Sequence, residues 1–292
     1  MNSYHKSVLL QEAITALQIE PGKNYIDATL GGGGHTRLVL EKGGIVLGID
    51  QDDDALRYVG ENFTSAIEDG KLVLVHGNFG DIARIAKENN FTNIFGVLFD
   101  IGVSSHQLDE GTRGFSFLSD SALDMRMDRN LGVTAADLVN GLTKPELIEL
   151  FTKYGEEVFA KKIAEAIVVA RLQKPITTTK ELADLIAGKV AKIGKIHPAT
   201  KVFQALRIAV NDELNSLKNG LEQAIQILEK NGRLVVISFH SLEDRIVKHT
   251  FEEFERERLG EIITIKPTTP TEEEILKNNR ARSAKMRVFA KK

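Results

Sequence analysis

The chain has 292 residues, of which 42% are hydrophobic and 27% charged, and this mixture is typical of a folded globular protein rather than a disordered one. It contains no cysteine, which excludes disulfides, thiolate zinc sites and cysteine nucleophiles. The formal net charge of −3 argues against indiscriminate nucleic-acid binding, although it is compatible with a local basic groove.

Short apolar segments alternate with helical stretches through the first hundred residues. Four segments are rich in β-branched and aromatic residues, as strands buried on both faces of a sheet are, at residues 25–29, 45–50, 71–76 and 94–100. Helical stretches fit the gaps between them. The alternation predicts an α/β fold in which helices cover a parallel sheet.

The pattern changes to helices alone from about residue 107 to residue 210. Capping boxes at Thr143 and Thr178 mark two helix starts. The segment between Asp100 and the next predicted strand, at residues 233–239, is far longer than a crossover between parallel strands needs. It therefore predicts an inserted helical domain.

These patterns predict three segments in two domains. Residues 1–106 and 211–292 form the two parts of an α/β domain, and residues 107–210 form the inserted helical domain. Because ligands bind beyond the carboxyl ends of the strands in open α/β sheets, an insertion after the fourth strand is a candidate lid or substrate-recognition domain.

The C-terminal part returns to the α/β pattern. The pair Asn231 and Gly232 predicts the end of a helix, with a strand following at once. A helix is predicted at residues 242–257, and residues 261–266 and 286–290 are predicted to pair as an antiparallel hairpin.

A glycine run follows the first predicted strand. Residues 27–35 read Asp-Ala-Thr-Leu-Gly-Gly-Gly-Gly-His, which lets the backbone approach a nucleotide-like ligand. The dinucleotide fingerprint G-x-G-x-x-G lacks its third glycine here. Thr36 occupies that position when the motif is counted from Gly31, and Arg37 occupies it when the motif is counted from Gly32. The run fits the acidic loop of S-adenosylmethionine (SAM) methyltransferases, with Thr29 replacing the first glycine. A flexible turn is the alternative, and the position between strand and helix favours a cofactor loop.

Asp50 ends the second predicted strand, where an acidic side chain accepts the hydroxyl protons of a ribose in many nucleotide-binding folds. A helix N-cap is the alternative role, and the two are compatible. Asp50, Asp52, Asp54 and Glu61 also match the spacing of a calcium loop. That reading fails because Ala55 stands where the loop requires glycine, and a strand precedes it instead of a helix.

Two further strand ends carry candidate residues. Phe79 follows the third strand and is a candidate for contact with an adenine ring, with a place in the core as the alternative. Residues 100–105, Asp-Ile-Gly-Val-Ser-Ser, begin with Asp100 and follow the fourth strand. Methyltransferases that act on amino groups place acceptors for the target nitrogen at this position. This segment is the predicted reaction site.

Long motifs along the chain resemble the ribosomal RNA small subunit methyltransferase H family over nearly the whole sequence. They are His5 with residues 8–10, Gly31 with residues 33–35, and residues 100–105, 107–109, 113–117, 123–128, 197–200, 203–207, 213–214, 239–245 and 280–284. One departure is His106, which stands where the family usually has proline.

The resemblance implies a Rossmann-like SAM-dependent methyltransferase sheet with an inserted helical domain. It implies methylation of the exocyclic N4 of a cytidine in the decoding region of small-subunit ribosomal RNA, within an assembled or assembling 30S subunit. The cofactor-binding residues that it implies are Gly33, Gly34, His35, Asp50, Phe79, Asp100 and Gln107. Asp100 is also the candidate catalytic residue, which with nearby carbonyls accepts the N4 hydrogens and aligns the nitrogen with the methyl group.

The target base must leave its stack to reach such a site, and the insert is placed to bind RNA. Phe115 and Phe117 are candidates for stacking on a base, with a place in the core as the alternative. His240 and Glu243 are candidates for catalysis, with a hydrogen-bonded turn at the strand end as the alternative. Basic residues are candidates for phosphate contact, with a solvated surface as the alternative. They are Arg113, Arg126, Arg129, Lys201, Arg207, Arg280, Arg282, Lys285 and Arg287.

Two other functions fit parts of the pattern: a nicotinamide-dependent oxidoreductase, and a non-catalytic RNA-binding assembly factor. The missing third glycine disfavours the first, and the intact glycines with Asp50 disfavour the second. The scattered histidines predict no metal site, and the absence of a signal peptide or an apolar stretch of about 18 residues predicts a cytoplasmic protein with no membrane partner. The sequence leaves the oligomeric state open, a homodimer included.

Overall fold

The computed structural model describes residues 7–103, 111–190 and 197–292. Two compact units divide the chain. Met1–Ser104 with Leu214–Lys292 forms one, hereafter the sheet unit, and Ser105–Glu213 forms the other, hereafter the helical unit.

Within the described part of the sheet unit, seven strands form a single sheet. They are β1 (Asn24–Asp27), β2 (Ile45–Asp50), β3 (Leu72–His76), β4 (Ile94–Asp100), β5 (Leu228–Ser238), β6 (Gly260–Ile262) and β7 (Lys285–Lys291). Their order across the sheet is β3-β2-β1-β4-β5-β7-β6. The first five strands are parallel, and β7 runs antiparallel to both of its neighbours.

The helices follow the predicted alternation. In chain order they are α1 (Leu10–Leu17), α2 (Gly34–Glu41), α3 (Asp53–Asn62), α4 (Thr64–Glu68), α5 (Ile82–Glu88), α6 (Ala135–Gly141), α7 (Lys144–Gly155), α8 (Ala160–Arg171), α9 (Thr179–Ala187), α10 (Thr200–Val210), α11 (Glu213–Ile227), α12 (Ser241–Arg256) and α13 (Glu272–Lys277). Short 3₁₀ turns lie at Phe79–Asp81 and Asn279–Ser283. None of the helices described combines the length and hydrophobicity needed to span a bilayer.

Alternate residues of each central strand enter two hydrophobic cores, one on each face of the sheet. Leu47 and Phe99 pack with α5, α11 and α12 on one face. Val46 and Leu98, their neighbours along the strands, pack with α1, α2 and α3 on the other face. Complete burial of each such side chain contributes roughly 1.5–3 kcal/mol, so the central strands are stabilised from both sides and hold their carboxyl ends in place.

The helical unit is built from α6 to α10, and both predicted capping boxes are confirmed. The Thr143 N–H donates to the Glu146 carboxylate at 2.7 Å at the start of α7. The Thr178 hydroxyl accepts the N–H of Glu181 at 3.2 Å at the start of α9. In residues 111–190 and 197–213 no named strand occurs, as the helical pattern predicted.

Most of the predicted strands are confirmed, and the prediction of one helix end is wrong. The predicted strands 45–50 and 94–100 match β2 and β4, and β6 pairs antiparallel with β7 over a shorter stretch than predicted. Asn231 and Gly232 do not end a helix, because α11 stops at Ile227 and β5 begins at Leu228. Asn231 has φ +66°, where the pairing of β5 with β4 is interrupted. The Asn-Gly pair therefore provides a left-handed residue to a strand irregularity.

Candidate active site

Three aspartates lie at the carboxyl ends of three adjacent strands. Asp27 ends β1, and Asp50 and Asp100 end its neighbours β2 and β4. From β1 the strand order continues through β2 and β3 on one side, and through β4 and β5 on the other. β1 and β4 therefore flank the topological switch point of the sheet. In open α/β sheets this is where a ligand crevice forms.

The glycine loop connects β1 to α2 in a backbone conformation that other residues rarely adopt. Gly31 has φ +49° and Gly33, the N-cap of α2, has φ +71°. A Cβ on Gly33 would lie 3.0 Å from Phe63 Cζ, and one on Gly34 would lie 2.1 Å from Ser7 Oγ. The loop therefore requires glycine for its conformation at Gly33 and for close packing at Gly34.

Asp50 is joined to this loop by hydrogen bonds. Its Oδ2 accepts the Gly31 N–H at 2.8 Å and its Oδ1 accepts the Asp52 N–H at 2.9 Å. Burial raises the pKa of Asp50 to about 6, and these two donors offset part of that effect. Each carboxylate oxygen retains a second acceptor position, so Asp50 can receive two hydroxyl protons from a ribose.

Asp27 and Thr29 connect the glycine loop to the end of β4. The Thr36 hydroxyl donates to Asp27 Oδ2 at 2.7 Å, and burial raises the pKa of Asp27 to about 6. The Thr29 hydroxyl oxygen accepts the N–H of Asp100 at 2.6 Å. The threonine that replaces a glycine in the loop motif therefore fixes the backbone at the predicted reaction site.

Asp100 carries the least satisfied carboxylate of the three. Its side chain is 9% exposed, and Oδ2 lies 3.7 Å from His35 Nδ1. Its buried Oδ1 has no hydrogen-bond partner among the residues that the structure describes. Burial, followed by the charges of Asp27 and Glu243, raises the pKa of Asp100 well above its ordinary value. A buried acceptor without a donor is costly, which indicates that a ligand supplies the donor.

Phe79 lies on the far side of β2, at the end of β3. It opens a 3₁₀ turn, is half-buried, and meets Phe99 edge to face with ring centroids 5.5 Å apart. The side chain of the preceding residue, Asn78, accepts the Gly80 N–H at 2.8 Å and donates to Gln51 Oε1 at 3.3 Å. These contacts hold the 3₁₀ turn beside Gln51, the residue that follows Asp50.

The structure thus brings Gly33, Gly34, His35, Asp50 and Asp100 to one end of the sheet, with Phe79 at the next strand end. Gln107 and its neighbour His106 lie outside the described residues. Sequence reasoning did not assign Asp27 or Thr29 to the site, although both belong to the loop motif.

Six of the basic residues considered for phosphate contact have partners within their own unit. Arg113 is buried and donates to the carbonyl oxygens of Arg126 and Met127 at 3.0 and 2.8 Å. Lys201 donates to the carbonyl oxygen of Glu156 at 2.8 Å. The other four pair with carboxylates: Arg126 with Asp124, Arg207 with Glu213, and both Lys285 and Arg287 with Asp244. These cations stabilise loops and strand ends.

The two candidate stacking rings have different surroundings in the helical unit. Phe115 is buried, as its alternative core role predicted. Phe117 stacks on His197 with ring centroids 4.6 Å apart, and meets Phe203 edge to face at 5.0 Å. The next side chain, Leu118, is 91% exposed.

The strand order, the glycine loop and the carboxylates at the strand ends define an α/β methyltransferase fold. The chain belongs to the MraW methylase family, whose model matches residues 2–292. This membership covers both units.

Individual relatives are similar over their full length. The ribosomal RNA small subunit methyltransferase H of Pelobacter propionicus is 47% identical, with 98% of each chain covered. The protein of the same name from Brevibacillus brevis is 43% identical, covering 100% of this chain and 99% of its own. A solved rRNA methylase from Streptococcus thermophilus has a TM-score of 0.47 at 10% identity, covering 98% of this chain and 97% of its own.

Proposed function

We propose that this chain transfers a methyl group from SAM to the exocyclic N4 of a cytidine in the decoding region of 16S ribosomal RNA. Membership of the MraW methylase family and the names of the full-length relatives support the substrate class. The observation that carries the proposal is Asp100 at the end of β4, whose buried Oδ1 has no donor among the residues that the structure describes. An exocyclic amine supplies such a donor.

The residues at the strand ends fit SAM. Each carboxylate oxygen of Asp50 accepts one main-chain N–H, from Gly31 or Asp52, and uses its second acceptor position for a ribose hydroxyl. Gly33 and Gly34 begin α2, where main-chain N–H groups favour the carboxylate of the amino-acid part. Phe79 offers its half-buried ring to the adenine. His35 and Gln107 complete the set that the family resemblance implies.

Bound SAM supplies an electrophilic methyl group. The N4 lone pair of cytosine is delocalised into the ring, so the rate depends mainly on position and orientation. Asp100 accepts an N4 hydrogen and thereby turns the nitrogen toward the methyl group. In this proposal Asp100 is both a cofactor-site residue and the principal catalytic residue.

The helical unit serves as the substrate-recognition domain in this proposal. A cytidine in folded RNA must be unstacked before its N4 is accessible, so recognition must extend beyond the base. The exposed Leu118 beside the Phe117–His197 stack supports a base contact there. We propose further that the enzyme acts in the cytoplasm on an assembled or assembling 30S subunit.

The proposal is tested by incubating the purified protein with isotopically labelled SAM and small-subunit RNA. The RNA is offered as free 16S RNA and as 30S subunits lacking the modification, with 50S subunits as the control. Digestion to nucleosides and mass spectrometry should identify N4-methylcytidine in small-subunit RNA only. Calorimetry with SAM and with NADH accompanies this assay.

Methylation of a base other than cytidine, or of 50S RNA equally well, would contradict the substrate assignment. NADH binding in place of SAM would contradict the enzyme class. Activity on 30S subunits but not on free RNA would identify the assembled particle as the substrate.

A further inference from the structure

Glu243 is a carboxylate buried at the end of the strand next to Asp100. Its side chain is 0% exposed and lies in the first turn of α12, directly after β5. Its Oε2 accepts the N–H groups of Phe239 and His240 at 2.8 and 3.2 Å. These contacts form a capping box, and they account for one of its two oxygens.

The other oxygen of Glu243 has no such role. Oε1 lies 3.0 Å from His240 Nε2, but without the alignment of a hydrogen bond, and it has no hydrogen-bond partner among the residues described. A helix cap of this kind works equally well on an exposed surface, as at Thr143 and Glu146 in α7. Capping therefore does not explain why this carboxylate is fully buried.

The sheet places Glu243 beside Asp100. β4 and β5 are parallel neighbours, with Asp100 opposite Ile237 and the Ile101 N–H donating to the Ile237 oxygen at 2.9 Å. Beyond them, a Cβ on Gly102 would lie 3.1 Å from the Phe239 ring. The Glu243 carboxylate accepts the main-chain N–H of Phe239, and its charge contributes to the raised pKa of Asp100.

The chemistry of the amino group calls for two acceptors. Cytosine N4 carries two hydrogens that point in different directions, and taking its lone pair out of conjugation with the ring turns both hydrogens out of the ring plane. Asp100 accepts one of them in the proposed function. After methyl transfer the nitrogen carries a positive charge until it releases a proton to a base.

We infer that Glu243 is a second catalytic residue, whose Oε1 accepts the other N4 hydrogen and then the released proton. The inference rests on the proposed function. In the balanced step the N4–CH₃ bond forms while the CH₃–S⁺ bond breaks, which leaves a neutral thioether. One N4 proton passes to Glu243, which becomes a carboxylic acid and later returns the proton to solvent.

The test compares Glu243→Gln with Glu243→Asp. Glutamine keeps an oxygen for the capping box but replaces the second acceptor with an NH₂ donor. Aspartate keeps the carboxylate, and an aspartate at this helix position forms a capping box at Thr134 and Asp137. Glu146→Gln, in the exposed box of α7, is the matched control for capping alone.

Steady-state kinetics of methyl transfer to the RNA substrate, SAM affinity and thermal melting are measured for each variant. We expect Glu243→Gln to lower kcat about 100-fold or more, with KM for RNA and SAM affinity within about threefold of wild type. Glu243→Asp should retain more activity than Glu243→Gln, and Glu146→Gln should match the wild type.

A purely structural role predicts the reverse order, with Glu243→Gln at least as active as Glu243→Asp, and that result would overturn the inference. Loss of SAM affinity in parallel with kcat would also overturn it. An inactive wild-type protein contradicts the proposed function itself, so the two failures are distinguishable.

Discussion

The main-chain N–H of Gly31 donates a 2.8 Å hydrogen bond to Asp50 Oδ2, and this contact ties the glycine loop to the end of β2. The carboxylate that is proposed to hold the ribose therefore also holds the loop that faces the cofactor. A change at Asp50 acts on both.

Replacing Asp50 with asparagine should weaken SAM binding about tenfold or more. Asparagine has one acceptor oxygen, so it cannot serve the Gly31 and Asp52 N–H groups and two ribose hydroxyls together. Calorimetric titration measures the effect. Asp53→Asn is the control, because this side chain, in the first turn of the helix α3 that follows Asp50, is 65% exposed. Equal affinities for the two variants would contradict the role of Asp50.

SAM affinity should depend on pH in the acid range. Since the pKa of Asp50 is raised to about 6, the carboxylate is protonated below that pH and loses acceptor positions. A ligand that prefers the ionised form competes with the proton, so affinity should be constant above about pH 7 and fall about tenfold per pH unit below about pH 6. Asp27 titrates in the same range.

The Asp50→Asn variant separates the two aspartates in this experiment. Its weaker binding should vary less steeply between pH 5 and pH 7 than that of the wild type. An unchanged slope would assign the dependence to Asp27 or another group.

Replacing Gly33 with alanine should lower the free energy of unfolding by about 1–3 kcal/mol. The residue has φ +71°, and the added Cβ would lie 3.0 Å from the Phe63 ring. Gly60→Ala in α3 is the control, because a Cβ there would meet, among the described residues beyond the backbone of its own helix, only Leu74 Cδ1 at 3.8 Å. That change should stabilise the protein by about 0.5–1 kcal/mol. Urea unfolding measures both, and equal destabilisation by the two variants would contradict the prediction.

Replacing Arg113 with alanine should destabilise the fold rather than weaken RNA binding alone. The buried guanidinium donates to two main-chain oxygens, and its loss leaves them without a charged donor. We expect a loss of about 2–4 kcal/mol. Lys180→Ala, an exposed cation of α9, should leave stability unchanged. If Arg113→Ala melted like the wild type while RNA binding fell, Arg113 would be an RNA ligand instead.

The local features of the fold were predictable from the residues around them. β2 and β4 follow from runs of apolar residues, and the capping boxes at Thr143 and Thr178 follow from side chains three residues apart. The Asn231–Gly232 pair was assigned wrongly, because a left-handed residue serves a helix end and a strand irregularity equally well.

The composition of the site was predictable only in part. Asp50 and Asp100 stand out as residues at strand ends, and Gly33 as part of a glycine run between a strand and a helix. The bond between Asp100 and Thr29 joins positions 71 residues apart, and no local pattern reveals it. The partners of Arg113 are equally hidden, since a basic residue in a sequence does not show whether it meets a phosphate or a carbonyl oxygen.

By itself, then, the sequence determined the α/β alternation, the long helical insertion, the glycine loop and the resemblance that led to the family. These depend on periodicity, capping and motif spacing, which act over a few residues. The tertiary structure alone decided that Asp27, Asp50, Asp100 and Glu243 share one end of the sheet, and that Asp100 Oδ1 and Glu243 Oε1 are buried with no hydrogen-bond donor in the described part of the chain. Strand order and burial decide those facts, because they bring together carboxylates that are distant in sequence and remove them from water.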